Sequence, residues 1–315
     1  MSLVYFLPVV DDVIGYHPWF THWIAVRPFT SKDQHYKSLL LSSSSKSEHV
    51  QAFEKLLPSL PEPTPLSDIL AGLRDSFAAC RHAMLGEVGL DRACRIPFGP
   101  PSSPPYALDD TRRELSPFTI PLTHQLAILE AQIDLAVELR RNVSFHSVKC
   151  QQATVELLDK LKTKHGDAWS AISIDMHSCG LSAQTWKDIE RKHGNIYLSL
   201  SVAINTRSPA HRDLIASCSD NRVLVESDYH DPSYSTFQTW KMLQIVAEVK
   251  GWTVDDAWED DVSPEEWGAV RRLENNWKTF ERGGHQPIRK KDKRKLLLED
   301  WESDEGEREP RDQNR

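Results

Sequence analysis

The chain has 315 residues, 39% hydrophobic and 27% charged, which suffices for one large folded core or two ordinary ones. Its 46 acidic residues outnumber the 38 basic ones, and the net charge of -8 opposes tight, sequence-independent binding to duplex nucleic acid, so any nucleic acid is expected as a transient substrate. Five cysteines with no C-x-x-C pair argue against a zinc finger and, being odd in number, against a disulfide framework. There is no apolar run long enough to span a membrane and no basic, cleavable leader, so the expected location is intracellular, cytoplasmic or nuclear, with no membrane partner.

In chain order, short apolar or β-branched runs alternate with segments of helical period. Residues 9–15 and 83–87 read as strands, and 41–47, nearly all serine, as a surface excursion. The stretch IPFGPPSSPP at 96–105 can hold neither a helix nor a central strand. Leu122, Leu126, Leu129, Ile133 and Val137 then recur at helical spacing, one apolar stripe on a helix of about five turns. Strands at 143–146, 171–176, 196–202 and 222–226 alternate with helices at 151–162, 183–192, 209–217 and 235–250. The last helix stops at Gly251, a residue suited to a helix C-terminus. Residues 255–264 form an acidic excursion. The expected organisation is one domain over 1–284, with insertions near 41–66, 96–118 and 255–268, and a disordered charged tail over 285–315.

Strands alternating with helices six times over predict right-handed crossovers and a parallel sheet, hence an α/β (β/α) barrel, with an open doubly wound sheet as runner-up. Neither G-x-G-x-x-G nor a P-loop opens any helix, which removes the commonest nucleotide-binding forms of the open sheet. The residues at the carboxyl ends of the strands include His17, Glu87, His146, His177 and Asp228. In a barrel all these ends open on one face. A single histidine there is more often a partly buried ring bonded to a carbonyl, but recurrence at the same point of successive units points to one site. Two imidazoles with two carboxylates suit a divalent ion such as zinc or manganese, and a carboxylate between two ions can bridge them. Two such ions activate a water and stabilise the entering and leaving oxygens of a phosphoester displacement, though amide or lactone hydrolysis would suit the same face. The residues alone indicate metal-assisted hydrolysis and leave the bond open.

The segments Gly15-Tyr16-His17-Pro18, Gly86-Glu87-Val88-Gly89-Leu90-Asp91, Phe145-His146-Ser147, His177-Ser178-Cys179-Gly180 and Leu224-Val225-Glu226-Ser227-Asp228 occur in this order. Together they resemble the TatD family of metal-dependent deoxyribonucleases, within the amidohydrolase-like TIM barrels, over about residues 9–280. Tyr16 to Trp19, Tyr229-His230 and the long insertions look most like the fungal branch, whose members interact with a tetratricopeptide subunit of the anaphase-promoting complex. The resemblance implies a barrel of the metal-dependent hydrolase type that cleaves DNA phosphodiester bonds with metal-activated water. It implies divalent ions, two in a complete family member and drawn from Mg, Mn or Zn. By the same resemblance Glu87 bridges the metals, His146 and His177 are ligands, and Asp228 is ligand and general base, so that Glu87 and Asp228 are the catalytic pair. His17 and Asp91 resemble supporting groups that hold a ligand or a substrate phosphate in place. DNA would be the transient substrate, and a tetratricopeptide-repeat protein a partner.

The family pattern opens with a strand ending in H-x-H, both imidazoles binding the first metal, and a second βα unit before G-x-H-P. This sequence contains no H-x-H, so the first two βα units are expected to be missing, with two strand edges left open. Such a chain is expected to hold at most one metal well and to turn over slowly. A truncated gene model explains this, and so does a degenerate relative retained as a binding scaffold; the four remaining ligand positions favour the first. Val148 stands where the family has an arginine phosphate contact, and Lys149, Arg207 and Arg212 are candidates to replace it. Trp258, Trp267 and Trp277 could meet a helical-repeat partner, although packing of a C-terminal helix on the barrel is the plainer reading.

Overall fold

A computed structural model describes residues 13–99, 114–229, 231–255, 257 and 263–288. It opens on β1 (Val13–Ile14), and a short ribbon follows in which β2 (Ile24–Ala25) pairs in parallel with β3 (Thr64–Pro65). Between these two strands lie α1 (Lys32–Leu40) and α2 (Ser47–Leu56). Helix α3 (Leu66–Ala79) leads into β4 (Met84–Asp91), and β5 (Arg95–Pro97) pairs antiparallel with β6 (Leu115–Thr119). Then come α4 (Leu122–Leu139), β7 (Val143–Val148), α5 (Gln151–His165), β8 (Ile174–Met176), α6 (Ala183–Lys192) and β9 (Ile196–Ser201). The remainder is α7 (Val202–Asn205), α8 (Ala210–Ser217), β10 (Val223–Glu226), α9 (Pro232–Lys250) and α10 (Ala269–Arg282).

The central sheet has the order β1-β4-β7-β8-β9-β10, and every pairing in it is parallel. Strict chain order is the winding of a (β/α) barrel, whereas a doubly wound sheet reverses its order at a switch point. Among the described residues β1 and β10 are each paired on one side only, so the six strands form an open barrel segment. All six residues of β9 and seven of the eight in β4 are buried, as expected of parallel strands covered on both faces. Val88, Phe145, Met176 and Leu198 from the strands meet Leu129, Leu158 and Trp186 from the helices in one core.

The stripe on α4 is wider than its apolar spacing implies. Gln125 and Gln132 are buried on it beside Leu129 and Ile133, while Leu122 and Leu126 are only partly buried. The two amides are inward because backbone groups there require partners. Gln125 receives the Asp91 N–H at 2.8 Å and donates to the Asp91 carbonyl at 2.9 Å, and Gln132 accepts the Tyr16 N–H at 2.9 Å.

Three helices that periodicity does not place, α1, α2 and α3, occupy the region before β4. Tyr36 from α1 and Phe53, Leu56 and Leu60 from α2 and the turn after it join Ile96, Phe118 and Ile120 from the β5–β6 ribbon and its exit in a second, smaller core. Helix α9 starts at Pro232, one turn earlier than its apolar pattern suggests, because Asp231 accepts the Ser233 N–H at 2.9 Å and proline suits the first turn. It ends at Gly251, whose φ of 68° is the left-handed cap expected there. Trp277 stacks on Phe280 at 5.3 Å and packs with Met84, Tyr197 and Leu224, so α10 covers the amino-terminal end of the sheet. Residues 9–12, residues 100–113 of the 96–118 insertion and of the proline-rich stretch, Trp258, His230, most of the acidic excursion and residues 289–315 of the charged tail lie outside the described residues. No helix among the described residues is long and apolar enough to cross a membrane.

Candidate active site

The carboxyl ends of β4, β7, β8 and β10, with the turn after β1, bring the sequence-predicted residues to one face. Glycine at 89 permits this, since a Cβ there would collide with the His146 carbonyl on the adjacent strand. Glu87 is the hub of the arrangement. His146 Nδ1 lies 2.7 Å from Glu87 Oε1, His177 Nε2 3.7 Å from the same oxygen, and His17 Nε2 3.8 Å from Oε2. Asp228 Oδ1 joins from β10, 3.6 Å from His177 Nε2. Asp91 is both a turn cap and a site residue: Oδ1 accepts the N–H groups of Ala93 and Cys94 at 2.6 and 3.0 Å, and Oδ2 lies 3.4 Å from His146 Nε2.

Several participants escape the sequence reading. Glu226 Oε2 lies 2.7 Å from His177 Nδ1, while its Oε1 accepts the Ser178 N–H at 2.6 Å and the Ser178 hydroxyl at 2.8 Å. Its signal was available, since Glu226 closes an apolar strand at the same point of its unit as the other site residues. Trp19 donates its indole N–H to Asp91 Oδ2 at 2.6 Å, a contact spanning 72 residues. Ser178 also donates to Asp228 Oδ2 at 2.9 Å. Lys149, Ser178 and Asp228 have φ of 53°, 41° and 44°, and each follows a strand that supplies the site, the clustering of strained backbone expected at a functional centre.

The electrostatics divide the three histidines. Burial, outweighing the attraction of Glu87, pushes His17 down to about 4, so its ring is neutral. The Trp19 N–H donates to His17 Nδ1 at 3.2 Å, which leaves the ring proton on Nε2, directed at Glu87. Burial opposes the charge on His146 as well, but Asp91 and Glu87 push that ring up to about 9. His177 is carried against burial up to about 12, by Glu226 and Asp228 above all. Burial tends to raise Glu87 and Asp91, yet His146 and the neighbouring rings hold Glu87 below the usual carboxylate range, and His146 and Trp19 hold Asp91 at about 2. The hydrogen bond from His177 lowers Asp228. Beneath them, Asp175 is raised by its burial and by Glu226.

Carboxylates thus outnumber imidazoles, and the pull of these carboxylates toward the charged forms of His146 and His177 offsets only part of the negative charge. A divalent cation suits such a donor set, because metal binding displaces protons from its ligands. Donor atoms of His17, Glu87 and His146 all lie within 4.8 Å of one another, and His177 lies between Glu87 and Asp228, at 3.7 and 3.6 Å.

Six parallel strands in chain order, with imidazoles and carboxylates gathered at their carboxyl ends, define an α/β protein of the (β/α) barrel type with one polar cluster on its carboxyl face. Residues 9–260 match the family described as TatD related DNase, and the chain belongs to that family. It is 28% identical to Cut9-interacting protein scn1 of Schizosaccharomyces pombe, over 77% of this chain and 78% of that protein. It is 26% identical to the uncharacterized deoxyribonuclease YMR262W of Saccharomyces cerevisiae, over 84% and 80% of the two chains. Among solved structures it is similar to YJJV, a TatD homolog from Escherichia coli, with a TM-score of 0.44, 18% identity, and 68% of this chain and 70% of that chain covered.

Proposed function

We propose that this protein is a divalent-metal-dependent phosphodiesterase acting on DNA. The observation that carries this is the convergence of Glu87, His146, His177 and Asp228 at the carboxyl ends of the strands, where His146 and His177 lie 2.7 and 3.7 Å from Glu87 and Asp228 lies 3.6 Å from His177. Glu87, His146, His177 and Asp228 would hold the cation. When bound, it supplies the charge that makes an attacking water more acidic and offsets the developing charge on phosphoryl oxygens.

The chain's own groups do the rest. Asp228 is ionised at neutral pH and able to take the proton of the attacking water, and the Ser178 hydroxyl fixes its orientation through Oδ2. Glu226 takes the Nδ1 proton of His177 in a hydrogen bond, so that Nε2 faces Glu87 and Asp228. The neutral ring of His17 presents Nε2–H as a donor, which suits a phosphate oxygen better than a metal. Lys149, exposed just beyond β7, is the better substitute for the arginine absent at 148; Arg212 is held by Glu248 at 2.7 Å.

A second reading, a binding scaffold on a hydrolase fold, draws on the name of the Schizosaccharomyces pombe relative. Bound-metal analysis of purified protein separates the two, together with magnesium- or manganese-dependent cleavage of single-stranded DNA. One tightly held ion per chain and slow, metal-dependent cleavage are expected. No retained ion and no cleavage would leave the scaffold.

A further inference from the structure

Large apolar side chains stand exposed on both flanks of the candidate site. On the His17 flank, Trp19 is 48% and Phe20 46% exposed, and their rings lie 4.8 and 6.3 Å from that of His17. Trp19 is also 6.4 Å from the His146 ring, and its bond to Asp91 fixes the indole. On the Asp228 flank, Tyr229 follows directly in the chain and its ring lies 6.0 Å from that of Tyr234. Tyr234 and Phe237 are 54% and 53% exposed, three places apart on α9 and therefore on one face of it. The Lys241 ammonium rests 4.2 Å from the centre of the Phe237 ring, one turn further on. An exposed indole and phenyl ring beside His17, and two exposed rings on the α9 face that Tyr229 joins to Asp228, have no partner in either core among the described residues.

We propose that Trp19 and Phe20 on one flank, and Tyr234 with Phe237 on the other, are stacking platforms for unpaired nucleobases on either side of the scissile phosphodiester. The proposal rests on the phosphodiesterase reading and deepens it, making the substrate a single strand or a frayed end. Bases offer free faces only when unstacked, and aromatic platforms grip them with little regard to sequence. Stacking also suits an acidic protein, since it needs no dense field of lysines to hold the strand. Lys241, 4.2 Å from the centre of the Phe237 ring, supplies a cation beside that platform for a backbone phosphate. The alternative occupant of the α9 stripe, a protein partner, has no such continuity with the site.

The test compares two short strands of about a dozen units, an oligothymidylate and a base-free deoxyribose phosphate chain of equal length. Both carry phosphorothioate linkages to block cleavage, and both are titrated by fluorescence anisotropy with the full chain in magnesium. The base-bearing strand should bind the wild-type protein about tenfold or more tightly than the base-free one. Phe20→Ala, and separately the pair Tyr234→Ala with Phe237→Ala, should each weaken oligothymidylate binding by about 5- to 100-fold while leaving the base-free strand unaffected. Far-UV circular dichroism checks that both variants fold; Trp19 is left in place because its indole also holds Asp91. Equal affinity for the two strands, no measurable binding of the base-bearing one, or variants that bind it like wild type would each overturn the proposal, the last turning the α9 stripe into a protein-docking face. Hydrolysis of bis(4-nitrophenyl) phosphate reads the phosphodiesterase proposal by itself. Failure there with base-dependent binding intact removes the catalytic reading, and the converse removes only the platforms.

Discussion

Glu226→Gln probes the site at its most constrained point. The carboxylate faces His177 Nδ1 at 2.7 Å with one oxygen and the N–H and hydroxyl of Ser178 at 2.6 and 2.8 Å with the other. Glutamine has the same shape but a single acceptor. If its carbonyl keeps the Ser178 donors, its amide N–H2 faces Nδ1, which must then become the acceptor, and the ring proton moves to Nε2. That proton would point at Glu87 Oε1 and Asp228 Oδ1, 3.7 and 3.6 Å away, where the lone pair is needed for a cation. If the amide flips, its N–H2 meets the Ser178 N–H, and a part-buried backbone donor goes unpaired at about 1 to 3 kcal/mol. Either way metal affinity should fall by about 10- to 100-fold, the usual effect of losing a partner behind a ligating histidine. Isothermal titration with manganese reads this directly, with a urea midpoint to confirm the fold. Affinity within about twofold of wild type would refute the tautomer argument. The measurement does not depend on turnover, so it stands even if the chain is a slow enzyme.

Asp228→Asn should lower metal-dependent turnover by about a hundredfold or more, the scale of a lost general base, with far-UV circular dichroism unchanged; activity within a few-fold of wild type with metal still bound would reject that role. Gln132→Leu leaves the Tyr16 N–H without its 2.9 Å partner and should destabilise the fold by about 1 to 3 kcal/mol in urea titration, and a neutral or stabilising result would contradict the reason given for a buried amide on α4. The rings of His22 and His193 are held at about 4, in each case by burial first, against an ordinary 6.5, so the unfolded chain takes up protons that the folded chain does not as pH falls through that interval. Stability is therefore full above pH 6.5 and should decline toward pH 4, by up to about 3 kcal/mol per ring, and His22→Gln should flatten the urea midpoint against pH if the assignment holds.

The strands from β4 onward and the helices from α4 to α9 are largely legible because their burial is strong and regular. Continuous apolar runs mark strands covered on both faces, and a repeating stripe marks each long helix. Helices α1 and α2 are hidden for the opposite reason: each buries two residues, His35 with Tyr36 and Phe53 with Leu56, too few to write a period. The stripe Ile69, Leu73 and Phe77 on α3 is readable in principle, and is masked by the serine- and proline-rich sequence before it. Similarly, Gln125 and Gln132 look like breaks in an apolar face until the backbone groups they satisfy, at Asp91 and Tyr16, are brought beside them by the fold.

At the site, position on a strand is legible and chemical state is not. His17 and His146 look alike in sequence, each at the end of an apolar run, and each reaches Glu87. His146 meets two carboxylates, at 2.7 and 3.4 Å, and is raised to about 9. His17 meets one at 3.8 Å, is as deeply enclosed, and falls to about 4. The turn that Pro18 sets then directs the Trp19 N–H onto His17 Nδ1 and decides which nitrogen keeps the proton. One ring is drawn toward its charged form between two carboxylates while the other is held neutral, and the difference comes from carboxylate distances and a single backbone N–H, neither of which a spacing pattern records.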